Sequence, residues 1–342
     1  MKLNSTIRFI RPLGFQWETK DPFLFCVHHE DNYPNGNIKM EPIDSDSLKG
    51  RTIGQDFKLK DGWRMYHGSK IPGFPAHPHR GFETITYVRK GLVDHADSMG
   101  ATGRFGNGDV QWMTAGKGVQ HSEMFPLLNQ EGGNPFELFQ IWLNLPKASK
   151  FAEPHYAMLW HEEIPIIKLK DVNGKSIEIA LIAGAYQNTN APSPAPNSWA
   201  VNPNNNVAVW IIKMETGAQW SLPSASTGLN RSLYFYEGDL IEVEGQPIES
   251  NHAVDLISEH EVHIKNGQRE ANLLLLQGKP INESVAQYGP FVMNTQSEIQ
   301  EAMQEFQRTQ FGGWPWSSHE HVNPREKGRF AQYSDGTVDI KT

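Results

Sequence analysis

Cysteine is all but missing from this chain of 342 residues. Cys26 is the only one, so no disulfide can form within the chain. It lies in the apolar stretch Phe23-Leu24-Phe25-Cys26-Val27 and is expected to be a small core residue rather than a reactive thiol. Scarce cysteine fits a reducing compartment, and a cytoplasmic location is expected. Long apolar runs are missing too. No stretch approaches the ~18 residues needed to span a bilayer, and the N-terminal MKLNSTIRFIRPLGF has no long apolar signal core. Positive charge is in short supply: the formal net charge is -8 and no Lys/Arg-dense run stands out. Direct binding to nucleic acid phosphates is therefore not expected. There is no P-loop, no dinucleotide-binding glycine pattern and no serine nucleophile elbow. Gly116-Lys117-Gly118 lies in a turn but lacks the spacing of a phosphate loop.

Turn formers and aromatic residues are plentiful. Gly 30 and Pro 22 stand beside 17 Phe, 10 Trp and 9 Tyr, a mixture that favours short strands and turns over long helices. The length exceeds what one core usually serves (~250–300 residues), so two domains are expected. β-Prone segments bounded by glycines include Thr84–Val88, Asp109–Met113 and Phe136–Leu143, which suggests a sandwich or barrel. Ile164–Leu169 and Ile177–Ile182 flank Asn173-Gly174 and read as a hairpin. Asn188 to Asn206 reads as a surface loop. Strands are expected again at Val207–Ile212, Ser232–Tyr236, Asp239–Val243, Glu261–Ile264 and Ala271–Leu276. One helix is expected near the C-terminus, capped by Ser297 with Gln300 three residues on, and with Ile299, Met303 and Phe306 along one face. The expected organisation is all-β: one domain over 1–150, a second over 151–310, and an irregular tail over 311–342.

The chemistry concentrates in two short motifs. His77-Pro78-His79 places two imidazoles at alternate positions, which share a face on a strand. His121-Ser122-Glu123 repeats that spacing with a carboxylate. On neighbouring strands, these pairs would present three nitrogens and one oxygen to a common centre. Such a set suits Fe(II), Mn(II), Ni(II), Co(II) or Zn(II) and leaves room for two further ligands in an octahedral shell. Glu83 competes for the carboxylate role. The adjacent His28 and His29 would face opposite ways on a strand. His95 and Asp97 share a face and could extend the site, but are read as a solvated loop pair. His319 and His321 are expected at the surface.

Four stretches carry a family resemblance: HPHRGFETITYVRKG from His77 to Gly91, GDVQWMTAGKGVQHSE from Gly108 to Glu123, FQIWLNLP from Phe139 to Pro146, and QYGPFVMNT from Gln287 to Thr295. They resemble the pirin family of the cupin superfamily. The resemblance implies two cupin barrels, each a double-stranded β-helix or jelly roll, with a short C-terminal helix. It implies one divalent metal in the first barrel, usually iron, with His77, His79, His121 and Glu123 as ligands and Glu83 nearby but not ligating. Fe(II) is the expected ion, with Mn, Ni, Co, Cu and Zn as alternatives. The second barrel is expected to lack such a cluster. Some family members resemble quercetin 2,3-dioxygenases. The implied activity is therefore cleavage of quercetin or a related flavonol with O2. Glu123 is expected to take the substrate's hydroxyl proton as well, provided its bond to the metal is labile, since a carboxylate near a cation otherwise stays ionised. The competing expectation is a regulatory protein, a transcriptional cofactor or a module that binds a metabolic enzyme, using the same metal site and a protein partner.

Overall fold

A computed structural model describes residues 6–341; the first five residues of the N-terminal stretch and Thr342 lie outside the described residues. Strands dominate and a single α-helix is present among the described residues. Two compact units form. One comprises the chain up to Val27, Trp142–Asn144 and Glu162–Asn282; the other comprises His28–Ile141, Leu145–His161 and the chain from Glu283 onward. The units are thus interleaved along the chain instead of following one another in blocks.

The first unit explains its own N-terminal segment. Strand Ile7–Pro12 pairs with His252–Ile257 at the edge of a seven-stranded sheet, which continues through Asn230–Glu237, Ala271–Gly278, Ala208–Met214, Ser176–Ala183 and Ile166–Lys170. A four-stranded sheet of Gln219–Leu222, Val262–Asn266, Leu240–Val243 and Gln246–Glu249 accompanies it. Alternation builds the core: Ile177, Ile179 and Leu181 from one strand meet Leu233, Phe235, Leu273, Leu275, Val243 and Ile264, because residues two apart share a face. The hairpin expected around Asn173-Gly174 is present, pairing Ile166–Lys170 with Ser176–Ala183. Gly174 sits at φ +75, where a residue without Cβ turns the chain at no steric cost. Cys26 is buried, and burial pushes its thiol up, which keeps it protonated and unreactive.

The second unit has two six-stranded sheets in part. One contains His155–Leu159, Val110–Thr114, Phe82–Lys90 and Asn134–Asn144 in that order. The other runs Val338–Lys341, Arg329–Gln332, Thr102–Gly106, Leu92–Asp97, Val119–Met124, Gly73–His79. The tail is accordingly not irregular throughout, as its composition suggested. Phe330 and Ala331 are 5% and 0% exposed, which anchors Arg329–Gln332 against Thr102–Gly106. Arg104, fully buried, reaches the tail as well: its guanidinium binds both oxygens of Asp94 at 2.7 Å and donates to the carbonyls of Asn323, Pro324 and Lys327. Short-range pattern could not show this, since the partners lie over two hundred residues apart.

The helix spans Gln296–Thr309 and is capped by Thr295, not Ser297. Thr295 accepts from the Glu298 amide and Glu298 reaches back to the Thr295 amide. Both Thr295-x-x-Glu298 and Ser297-x-x-Gln300 fit the capping-box pattern. A charged Glu in the first turn interacts better with the helix dipole than a neutral Gln. Ile299 and Ala302 are buried, and Met303 and Phe306 pack beside them with Phe291 and Met293. Among the described residues, no helix is long and apolar enough to cross a membrane.

Candidate metal centre

Strand Gly73–His79 runs antiparallel to Val119–Met124, with His77 opposite His121 and His79 opposite Val119. The register shifts between Phe74 and His77. Gly73 lies at φ +135, and a Cβ there would fall 2.4 Å from the Glu123 carbonyl oxygen, so only glycine lets the two strands approach this closely. On its other side Val119–Met124 pairs with Leu92–Asp97, placing His95 opposite Glu123 and Asp97 opposite His121.

These registers gather three imidazoles. Ring centroids are 4.7 Å apart for His77 and His79, 4.5 Å for His77 and His121, and 4.8 Å for His79 and His121. Each offers one nitrogen, and the three nitrogens lie within 4.8 Å of one another, a group that could hold a metal ion. His79 is 4% exposed and His121 0%, whereas His77 is half-buried; the group is therefore open to solvent on the His77 side. Burial holds the His77 imidazole down at about 4. Burial and the neighbouring rings hold His79 and His121 well below the usual imidazole range. All three are neutral at physiological pH, the form in which imidazole ligates a metal. His77 Nδ1 lies 2.9 Å from the Pro75 carbonyl oxygen. A carbonyl only accepts, so Nδ1 carries the proton and Nε2 keeps its lone pair.

Neither ring nitrogen of His121 has a hydrogen-bond partner among the described residues, although both are buried. An unsatisfied buried polar group costs about 1–3 kcal/mol, and a metal ion would remove that cost. The donor set thus fits a divalent transition metal.

Glu123 stands beside this group but is turned partly away. Its Oε2 is 3.9 Å from His121 Nε2. Its oxygens accept from Gln140 Nε2 at 3.1 and 2.9 Å, and Thr86 Oγ1 lies 3.1 Å from Oε1. Burial raises its carboxyl, while the His95 ring and the Gln140 and Thr86 bonds pull the other way. Glu83 is fully buried on the strand Phe82–Lys90 and accepts from Thr114 Oγ1 at 2.7 Å; it does not belong to the three-nitrogen group.

The His95–Asp97 pair is not a solvated loop. Both residues are 0% exposed, and His95 Nε2 lies 3.1 Å from Asp97 Oδ2. Asp97 also accepts from the Met99 and Ala101 amides, and His95 stacks on Tyr156 at 4.8 Å. Those bonds make burial of the carboxylate tolerable. Their i, i+2 spacing, the same as in the two motifs, was the available signal. Gln140 and Thr86 were not singled out from sequence; a Gln within FQIWLNLP was the only hint. His28 and His29 do diverge: His28 Nε2 lies 3.2 Å from Glu137, whereas His29 packs edge-on to Tyr66. His319 is exposed, and half-buried His321 lies against Trp316.

Comparison with known proteins agrees with this architecture. Residues 43–143 match the family model described as Pirin, and residues 209–312 match the Pirin C-terminal cupin domain. Human pirin is 33% identical over 271 residues, covering 77% of this chain and 87% of that protein. A pirin-like protein of Solanum lycopersicum is 35% identical over 260 residues, covering 70% and 77%. The crystal structure of a quercetin 2,3-dioxygenase from Acinetobacter baumannii superposes with a TM-score of 0.70 at 28% identity, covering 90% of this chain and 98% of that one.

Proposed function

The chain belongs to the pirin family, and on that premise we propose that it is a dioxygenase that opens quercetin or a related flavonol with O2 at one divalent metal ion. The observation that carries the reading is the convergence of three neutral imidazoles, two of them buried, with the Glu123 carboxylate 3.9 Å from one of them. The likeness to the Acinetobacter quercetin 2,3-dioxygenase supports the substrate class.

His77, His79 and His121 would hold the ion, with Glu123 as the fourth ligand. Fe(II) is the proposed metal. When bound, such an ion supplies a Lewis acid with open positions for a substrate oxygen. The protein's own groups do the rest. Gln140 and Thr86 fix the orientation of Glu123 through the bonds described above. Burial raises the Glu123 carboxyl in the chain alone, but a bound cation favours its charged form, so it would accept a proton only when its bond to the ion is released. We assign it to take the proton of the flavonol 3-hydroxyl, which leaves the electron-rich enolate that O2 attacks. The buried rings of His79 and His121 keep bulk water from the inner side of the site. No feature among the described residues singles out a protein-binding role for the same centre.

Elemental analysis combined with oxygen uptake tests the reading. Metal-replete protein should carry about one ion per chain and consume O2 when given quercetin. Metal-loaded protein that consumes none with a panel of flavonols refutes the dioxygenase assignment, and metal-free protein after replete preparation refutes the centre itself.

A further inference from the structure

On the solvent-open side of the imidazole group, a row of rings leads away from His77. Phe74 is half-buried with its centroid 6.3 Å from His77. Phe57, 38% exposed, lies 6.4 Å from Phe74. His67 stands edge-on to both, 4.9 Å from Phe57 and 5.7 Å from Phe74. Three rings, all at least partly exposed, therefore lie beside the most exposed of the three imidazole residues.

His67 is held in a single tautomer. Its Nδ1 is 2.7 Å from the carbonyl oxygen of Gly54. That oxygen can only accept, so Nδ1 bears the proton and Nε2 of the neutral ring presents a lone pair. Nε2 has no hydrogen bond among the described residues. A fixed acceptor set into an apolar frame is the arrangement that orients a flat ligand and selects for a hydroxyl on it.

We propose that Phe57, His67 and Phe74 form a substrate-recognition subsite at the mouth of the metal centre, in which an aromatic ring of the ligand packs on the solvent-facing side of the Phe57–Phe74 pair and His67 Nε2 accepts a hydrogen bond from a phenolic hydroxyl remote from the reacting carbon. The proposal rests on the flavonol reading above and adds which part of the molecule is recognised and by what. His67 is a specificity residue for polyhydroxylated flavonols over those lacking ring hydroxyls. A purely aliphatic ligand lacks both the ring and the donor that this frame engages.

The test uses binding without turnover. The full-length protein is loaded with Zn(II), which has no redox chemistry, and titrated without oxygen with quercetin and with 3-hydroxyflavone, which has only the 3-hydroxyl. His67→Ala should weaken quercetin about five- to tenfold, the loss of one neutral hydrogen bond, and leave 3-hydroxyflavone within about twofold. His67→Gln, which keeps an acceptor, should recover much of the quercetin affinity. Phe57→Ala should weaken both ligands alike. Zinc content, measured for each variant, should match that of the unsubstituted protein. Equal effects of His67→Ala on both flavonols, or no effect on either, overturn the proposal, as does failure of the unsubstituted protein to bind quercetin. The dioxygenase reading fails on a different result, the absence of oxygen uptake by the iron-loaded protein, so the two are separable.

Discussion

Replacing His121 by Leu should reverse the stability order of two proteins according to whether metal is present. In the metal-free chain, both His121 nitrogens are buried without a hydrogen-bond partner among the described residues, so removing the ring strands no other group. Leu is similar in bulk and wholly apolar. The substitution should relieve the cost of the unsatisfied group, about 1–3 kcal/mol. A unit of this size shifts its Tm by roughly 2–4 °C per kcal/mol, so Tm in chelator should rise by at least about 2 °C. With metal at about 100 times Kd, the unsubstituted protein gains about 2.7 kcal/mol by mass action, or roughly 5–11 °C, and the variant gains little. Thermal melts at pH 8, with chelator and with metal, give all four values. A variant less stable than the parent in chelator would show that His121 is already satisfied. A variant stabilised by metal as much as the parent would show that His121 is not a ligand.

Three further outcomes are expected. Burial lowers His29 to about 3, below its unfolded value of about 6.5. The unfolded chain therefore binds the extra proton first, so the stability His29 contributes is present above pH ~6.5 and lost as pH falls toward 3, by up to about 1.4 kcal/mol per unit; His29→Phe should flatten the urea-midpoint profile of the metal-free protein between pH ~6 and 4, and an unchanged slope would refute it. Arg104→Met leaves the fully buried Asp94 without its ion pair and should cost about 3–5 kcal/mol in urea unfolding; the double variant Arg104→Met, Asp94→Leu should recover much of this, and a single-variant loss below about 1 kcal/mol would show that the pair is dispensable. Thr295→Ala removes the cap acceptor for the Glu298 amide and should cost about 1 kcal/mol, with faster hydrogen exchange confined to the first helical turn; unaltered exchange there would count against the cap.

What the sequence made legible follows the range of the physics. Strand alternation is local, so His77 and His79 could be placed on one face, and His121 and Glu123 on another, before any coordinates; that the two strands are neighbours is seen only in the structure. The hairpin at Asn173-Gly174 and the late helix were readable for the same reason. Pairing between distant segments was not. Nothing local in Ile7–Pro12 names His252–Ile257 as its partner, and nothing in Phe330-Ala331 names Thr102–Gly106. The His95–Asp97 pair was misplaced because polar spacing alone cannot distinguish a solvated pair from one whose carboxylate is satisfied by backbone amides. His67 was missed because its tautomer is set by Gly54, thirteen positions away, in a loop that has no sequence period.

The position of Val119–Met124 explains why so much of the centre depends on one strand. It is flanked on one side by Gly73–His79 and on the other by Leu92–Asp97, so His121 has a ligand candidate as one cross-strand neighbour and the Asp97 carboxylate as the other. Such a strand cannot slip register by one residue without turning His121 and Glu123 to the opposite face. Gly73 resists that slip on one side, because its lack of Cβ admits the Glu123 carbonyl at a distance no other residue would allow. Burial then does chemical work: by keeping the imidazoles uncharged it leaves their lone pairs available. Opening this side of the sheet to water would favour the protonated imidazoles and so weaken any metal binding there.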